Sequence, residues 1–174
     1  MEETKVTTPV IKGLIISLVL IVYGLILYFV DNMEHPNLQY GQYAIFLAGI
    51  IWACISYSNQ LNANVTFGNL FAHGFKTTAV ITIIILIYTV LAFQFLFPDM
   101  VTKTIDITRQ KMEAEGKASD SQIQQTVGMM KDHFTLFAVV GIIFGFAIMG
   151  LISSLIGAAV AKKKPRDPFG NQAI

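Results

Sequence analysis

Four long apolar runs constrain this chain more than any other feature. They cover Val10–Val30, Tyr40–Ser58, Thr77–Phe97 and Phe134–Ala161. None of them contains Asp or Glu, and Lys12 is the only Lys or Arg within them. A helix needs about 20 predominantly apolar residues to cross the hydrocarbon core of a bilayer. The runs therefore predict an all-α fold, an integral membrane four-helix bundle.

Composition favours a single membrane domain over residues 1–174. Only 13% of the residues are charged and 54% are hydrophobic, whereas about a quarter of the residues in a soluble domain are charged. The net charge of +1 argues against nucleic acid as a partner, because such proteins usually carry a basic face. Cys54 is the only cysteine, and its place in the second run predicts a buried, unreactive side chain. The first run is too long for a secretory signal peptide, so we expect it to remain as the first span.

One sizeable hydrophilic segment, residues 99–133, separates the third and fourth runs. We expect it to form an extramembrane helical hairpin, with Asp99 as the first N-cap and Gly116 as the stop of the first helix. Ser119 and Gln122 form a capping box that opens the second helix. Each helix repeats apolar residues at spacings of four, three and four, and this stripe must face the other stripe, lipid or a protein. The predicted interaction face consists of Val101, Ile105, Met112, Ile123, Val127 and Met130.

The stretch before the third run has its own helical pattern. Phe67, Leu70, Phe71 and Phe75 recur at helical spacing. This predicts a short interfacial helix leading into the span.

No catalytic, cofactor or metal site is predicted. His35, His73 and His133 are too far apart in the sequence to form a helical pair of metal ligands. Ser153 and Ser154 have neither a His nor a carboxylate within reach along their helix, so we expect them to bond back to a carbonyl or across to another helix. No ionisable residue occupies the middle of a run, where a proton-coupled transporter needs one. These observations speak against an enzyme and against an active transporter.

Small residues spaced four apart mark the fourth run as a packing helix. Such residues flatten one helix face and let another backbone approach closely. The helix that approaches them can belong to this chain or to another one. The predicted packing residues are Gly141, Gly145, Gly150, Ser154 and Gly157.

A basic cluster directly after the fourth run predicts the orientation. Lys162, Lys163, Lys164 and Arg166 form this cluster, and Lys and Arg accumulate on the cytoplasmic side of membrane spans. Four spans place both termini on the same side, which then holds seven of the twelve Lys and Arg residues. We therefore expect both termini in the cytoplasm.

Several short stretches carry a family resemblance over nearly the whole chain. They are Lys12-Gly13-Leu14-Ile15, Val65–Phe71 followed by Gly74-Phe75-Lys76, Phe97-Pro98-Asp99, and the basic end at Lys162–Pro165. In these features the chain resembles a bacterial family of four-span proteins known as domain of unknown function 4199. The resemblance implies four spans and a bacterial inner-membrane location, and it implies no activity.

Two functions remain in competition at this point. The first is a non-enzymatic inner-membrane protein that acts through helix packing and protein interaction. Its partners would be the lipid bilayer and either a second copy, giving a homo-oligomer, or another membrane protein, with the hairpin as the recognition element. The alternative is a small channel or transporter subunit, with the polar faces of spans two and three lining a path. A continuous polar stripe through the bundle would favour the alternative, and a dry interior would favour assembly.

Overall fold

The structure is a computed structural model that describes residues 6–30, 36–116 and 118–164. Within these ranges it is built from five α-helices and no strand, which confirms the all-α prediction. Four of the helices are long and apolar enough to cross a membrane, so the chain has the architecture of a multi-pass membrane protein. The helices are α1 (Pro9–Phe29), α2 (Pro36–Gln60), α3 (Phe67–Leu91, extended by a π-helical turn at Ala92–Leu96), α4 (Asp99–Glu115) and α5 (Asp120–Val160).

Short polar residues start most of the helices for which a cap is described. Thr8 and Thr66 cap α1 and α3 through their side-chain oxygens, and the predicted capping box of Ser119 and Gln122 opens α5. Gly116 ends α4 in the left-handed region at φ +61°, where glycine has no Cβ to clash. The prediction for Asp99 was wrong by one residue. Pro98 occupies the cap position in a helical conformation, so Asp99 already lies in the first turn of α4.

Two helices are longer than the sequence indicates. The separate interfacial helix was a wrong prediction, because residues 67–76 form the first turns of α3 and bury Leu70, His73 and Gly74 against the bundle. Likewise α5 combines the second hairpin helix with the fourth span. A single non-helical residue, His133 (φ −128°, ψ 28°), marks the kink between them.

The four spans pack with α2 and α3 in the centre. Both α1 and α5 contact α2 and α3, which also contact each other, whereas no contact joins α1 and α5 in the described ranges. We call the end where α1 and α3 begin the termini end, and the opposite end the hairpin end. An apolar core fills the middle of the bundle, formed by Ile16, Leu20, Phe46, Ile50, Ala53, Cys54, Ile81 and Ile85.

Candidate functional site

Close helix contacts hold the bundle together in its termini half. A Cβ placed on Gly150 would lie 2.2 Å from Cγ2 of Thr78 on α3, and one on Gly157 would lie 2.9 Å from Sγ of Cys54 on α2. Ser154, between these glycines, is fully buried. Three of the predicted packing residues, Gly150, Ser154 and Gly157, therefore lie where α5 meets its own neighbours.

The other two predicted packing residues make no such contact. Nothing lies within 4 Å of a Cβ placed on Gly141 or Gly145, both residues are exposed, and no residue from Thr135 to Met149 is buried. The expectation of a close contact at these two glycines is therefore not met within the described chain. Bulky side chains explain the difference, because aromatic pairs rather than glycines span the space between α5 and its neighbours in this half.

These aromatic pairs bound an open groove of about 450 Å³. Phe146 of α5 meets Phe46 of α2 edge to face with ring centroids 5.0 Å apart. Nearer the hairpin, Phe134 of α5 meets Phe93 of the π-helical turn at 5.1 Å. Among the described residues, the lining includes no Asp, Glu, Lys, Arg or His. The largely apolar groove can therefore accept an apolar chain or helix.

The predicted interaction face of the hairpin is directed mainly at itself. Ile105 of α4 and Ile123 of α5 are only 3% and 4% exposed, and α4 packs directly on α5. The other four residues of the predicted interaction face are half-buried: Val101, Met112, Val127 and Met130. Tyr28 at the end of α1 donates to the Asp99 carboxylate at 3.2 and 3.3 Å, which ties the hairpin to the bundle. The hairpin is thus largely a self-covered cap, and Met130 alone among its face residues also lines the groove.

A buried polar layer lies in the termini half. Lys12 is fully buried, and its Nζ donates to the carbonyl of Ala53 at 3.2 Å and lies 5.7 Å from the ring centre of Tyr57. The ring of His73 stacks on that of Tyr57 with centroids 4.0 Å apart and an interplanar angle of 11°. Buried amines and imidazoles are uncommon in membrane-spanning helices, and those that occur are often functional.

Two polar atoms of this layer, Nε2 of His73 and Oγ of Ser154, have no hydrogen-bond partner among the described residues, so the bond expected for Ser154 is not found there. The Cys54 thiol, buried as expected, donates to the Leu70 carbonyl at 3.5 Å. Gly74 makes room for both neighbours, since a Cβ there would lie 2.8 Å from Sγ of Cys54 and 2.9 Å from Oγ of Ser154. The described residues contain no cluster of His, Cys, Asp or Glu that could hold a metal ion.

Sequence reasoning missed this layer because it took the spans one at a time. His73 was expected outside the third span, and Lys12 was noted only as the single basic residue within the apolar runs, in the count that predicts the orientation and in the family resemblance. The distance of a residue from its helix end could have indicated the layer. Cys54 and Ser154 each lie six residues before the end of their helix, and His73 lies six residues after the start of α3. Residues at equal depth from the same membrane face meet in an up-and-down bundle.

The three lysines of the basic cluster lie at the termini end of the bundle. Lys162, Lys163 and Lys164 are exposed there, and Arg166 lies outside the described residues. Both described ends of the chain are at this end. The backbone N–H of Thr7 donates to the Gln60 side chain at 2.9 Å, and that of Lys164 donates to the Ala63 carbonyl at 2.8 Å.

The fold and site define a class: a four-span helical membrane protein with an extramembrane hairpin, a closed termini half and an open groove. The family described as "Protein of unknown function (DUF4199)" matches residues 12–163, and the chain belongs to this family. This confirms the resemblance found in the sequence. No curated protein and no solved structure matches the chain.

Proposed function

We propose that this is a non-enzymatic protein of the bacterial inner membrane that acts by assembling with a second copy of itself. The groove in the hairpin half receives α5 of the partner copy, and both termini face the cytoplasm. One observation carries the proposal. On helix α5, Gly150 and Gly157 are in tight contact with other helices of the same chain. Gly141 and Gly145 instead line the groove, and a Cβ placed on either would have no described atom of another helix within 4 Å.

The chemistry of the groove supports a helix as its occupant. Lipid tails are as apolar as leucine, so membrane helices associate mainly through close packing and hydrogen bonds, and small residues permit the closest approach. Gly141 and Gly145 lie one helical turn apart, which exposes a flat strip of backbone. A partner that places its own flat strip against this one gains contact along both helices.

A second copy supplies such a strip without any further assumption. In a two-fold dimer the same surface patch occurs on both sides of the interface, so Gly141 and Gly145 of one copy would cross the same residues of the other. Each α5 then lies in the groove of the other copy. Phe137, which lines the groove, is 50% exposed in the single chain and would be covered by this arrangement.

The interior of the bundle favours assembly over the channel or transporter alternative. Along the bundle axis, the polar layer is followed by an apolar layer of described residues that includes Leu20, Ile50 and Ile81. The hydroxyls of Thr77 and Thr78 on α3 bond back to carbonyls of their own helix, at 2.9 and 3.2 Å. Hydroxyls that donate in this way are satisfied as donors within their own helix and need no water for that purpose.

Site-specific cross-linking tests the dimer. Gly145→Cys in a Cys54→Ala background is expected to form a disulfide-linked dimer on mild oxidation in native membranes, because residues near a two-fold axis face their own copies. Leu155→Cys in the same background is the matched control. It is exposed on the same helix but lies beyond the groove, and it should stay monomeric.

Each outcome of this experiment bears on the proposal. Dimers from Gly145→Cys alone support it, and equal dimer yields at both positions indicate random collision and contradict it. A different membrane protein cross-linked at Gly145 would replace the homodimer by a mixed assembly. An absence of any product at Gly145 would contradict assembly through the groove.

The orientation has a separate test. Alkaline phosphatase, which is active only in the periplasm, is fused after Ile174 or inserted between Ala118 and Ser119. The basic residues after α5 predict activity for the hairpin insertion only. Activity of the terminal fusion alone would reverse the orientation.

A further inference from the structure

Among the described residues, the charges at the termini end of the bundle are all basic. Every described Asp and Glu lies between Asp99 and Asp132, in or next to the hairpin. At the termini end the exposed charges of the described residues are those of Lys76 and Lys162–Lys164. Within the described residues, this segregation leaves the lysine charges at the termini end without a carboxylate nearby.

Hydrogen bonds fasten the lysine segment to the turn between α2 and α3. The Ser58 hydroxyl donates to the Lys162 carbonyl, and the Lys164 N–H donates to the Ala63 carbonyl at 2.8 Å. Ala63 accepts this bond in the left-handed region at φ +61°, which is unfavourable for a residue with a Cβ. The segment is therefore part of the folded end of the bundle.

The three lysines have different tasks in this arrangement. Nζ of Lys163 donates to the carbonyls of Ala158 and Ala159 at 2.6 and 3.2 Å, at the end of α5, and lies 5.5 Å from the Phe67 ring centre. Ala161 has extended backbone angles, and alternate side chains of an extended segment point to opposite sides. If the backbone stays extended after Ala161, Lys162 and Lys164 project together on the side opposite Lys163, with their Cα atoms roughly 7 Å apart.

We propose that Lys162 and Lys164 form a fixed binding site for the phosphate of an anionic phospholipid headgroup. The segment follows directly after a membrane-crossing helix and lies next to Phe67, whose ring is 43% exposed, which places the two ammonium groups at the headgroup level. Neither side chain makes a hydrogen bond or ion pair with the described residues. Charge complementarity and this position identify the ligand as a membrane lipid rather than a soluble anion.

Native mass spectrometry of the purified full chain tests the site, with phosphatidylglycerol and phosphatidylcholine of matched chains as probes. Lys162→Gln with Lys164→Gln should lower the retention of phosphatidylglycerol by about thirtyfold, since each lysine at an anionic surface contributes roughly fivefold. Retention of phosphatidylcholine should not change. The matched control, Lys111→Gln with Lys131→Gln, removes the same charge from exposed positions in the hairpin and should leave both lipids unaffected.

Two further measurements separate a built site from simple charge attraction. Ser58→Ala keeps every lysine but removes a bond that fixes the segment, so it should lower phosphatidylglycerol retention severalfold. Full retention in this variant, or an equal loss in the hairpin control, would overturn the proposal. Inorganic phosphate at millimolar concentration should not displace the lipid, and displacement would assign the site to a soluble anion instead.

Discussion

The contact between Gly150 and Thr78 allows a quantitative test of how the bundle closes. In Gly150→Ala the new methyl carbon would lie 2.2 Å from Cγ2 and 2.6 Å from Oγ1 of Thr78. Carbon atoms in good contact are about 3.5–4.0 Å apart, so α5 and α3 must separate or Thr78 must turn away. Turning is opposed, because Thr78 is buried and its hydroxyl donates to the Gly74 carbonyl at 3.2 Å.

The expected loss of stability follows from these two routes. Inserting a methylene into a well-packed core typically destabilises by about 1–3 kcal/mol, and losing a hydrogen bond costs about 0.5–1.5 kcal/mol. We therefore expect Gly150→Ala to lower the free energy of unfolding by about 1–3 kcal/mol. For a chain of this size each kcal/mol shifts Tm by about 2–4 °C.

Thermal unfolding in mild detergent, followed by far-UV circular dichroism, measures this shift. Gly145→Ala is the matched control, because the same methyl group meets nothing within 4 Å there and alanine is the better helix former. Its Tm should equal or exceed that of the wild type. Adding Thr78→Ala to Gly150→Ala removes the two nearest atoms and should recover part of the loss. Equal Tm values for Gly150→Ala and Gly145→Ala would refute the distinction between a closed and an open half.

Three other substitutions test separate parts of the structure. Lys12→Met should leave Tm unchanged or raise it, because an apolar side chain of similar length replaces a buried amine that makes one hydrogen bond. A fall in Tm of more than about 5 °C would show instead that the amine stabilises the fold. Ser119→Ala removes the N-cap hydroxyl of the capping box and should weaken the start of α5 by about 0.5–2 kcal/mol, seen as faster amide hydrogen exchange in its first turn and not at Gly150. Ile105→Asp places a charge in the 3% exposed centre of the hairpin and should open it to proteolysis while the four spans stay inserted; an unchanged cleavage pattern would contradict the mutual cover of α4 and α5.

Local sequence patterns predicted the elements of this fold well, because each depends on near neighbours. The length of the apolar runs predicted four spans, and the capping box at Ser119 and the stop at Gly116 were identified at the correct residues. The patterns failed where a helix continues without a local break. The stretch from Phe67 to Lys76, taken as a whole, is too polar to be recognised as part of a span. The helix that Thr66 caps nevertheless continues from this stretch into the third apolar run.

The contacts across the bundle were beyond such patterns. Gly145 and Gly150 look alike in the sequence, since both are glycines among large apolar residues of one helix. They differ in what faces them across the helix contact. Thr78 faces Gly150, whereas no described residue lies close to Gly145. The difference depends on the distance between α5 and the neighbouring helices, which the local sequence does not specify. The buried amine of Lys12 was likewise invisible, because its environment comes from Ala53 and Tyr57 on another helix.

The division of the bundle into two halves has a consequence for how it would assemble. In the termini half, contacts at Gly150 and Gly157 and the hydrogen bonds of the Lys162–Lys164 segment fix where α5 lies. In the hairpin half, the aromatic pairs at Phe146 and Phe134 keep α5 apart from its neighbours. A helix entering the groove would therefore meet a preformed surface and would need only to displace lipid. Because little rearrangement is required, the affinity of such an assembly should depend mainly on the groove contacts themselves. Side chains as large as leucine at Gly141 or Gly145, well beyond the size of cysteine, should weaken association while the fold of each copy is retained.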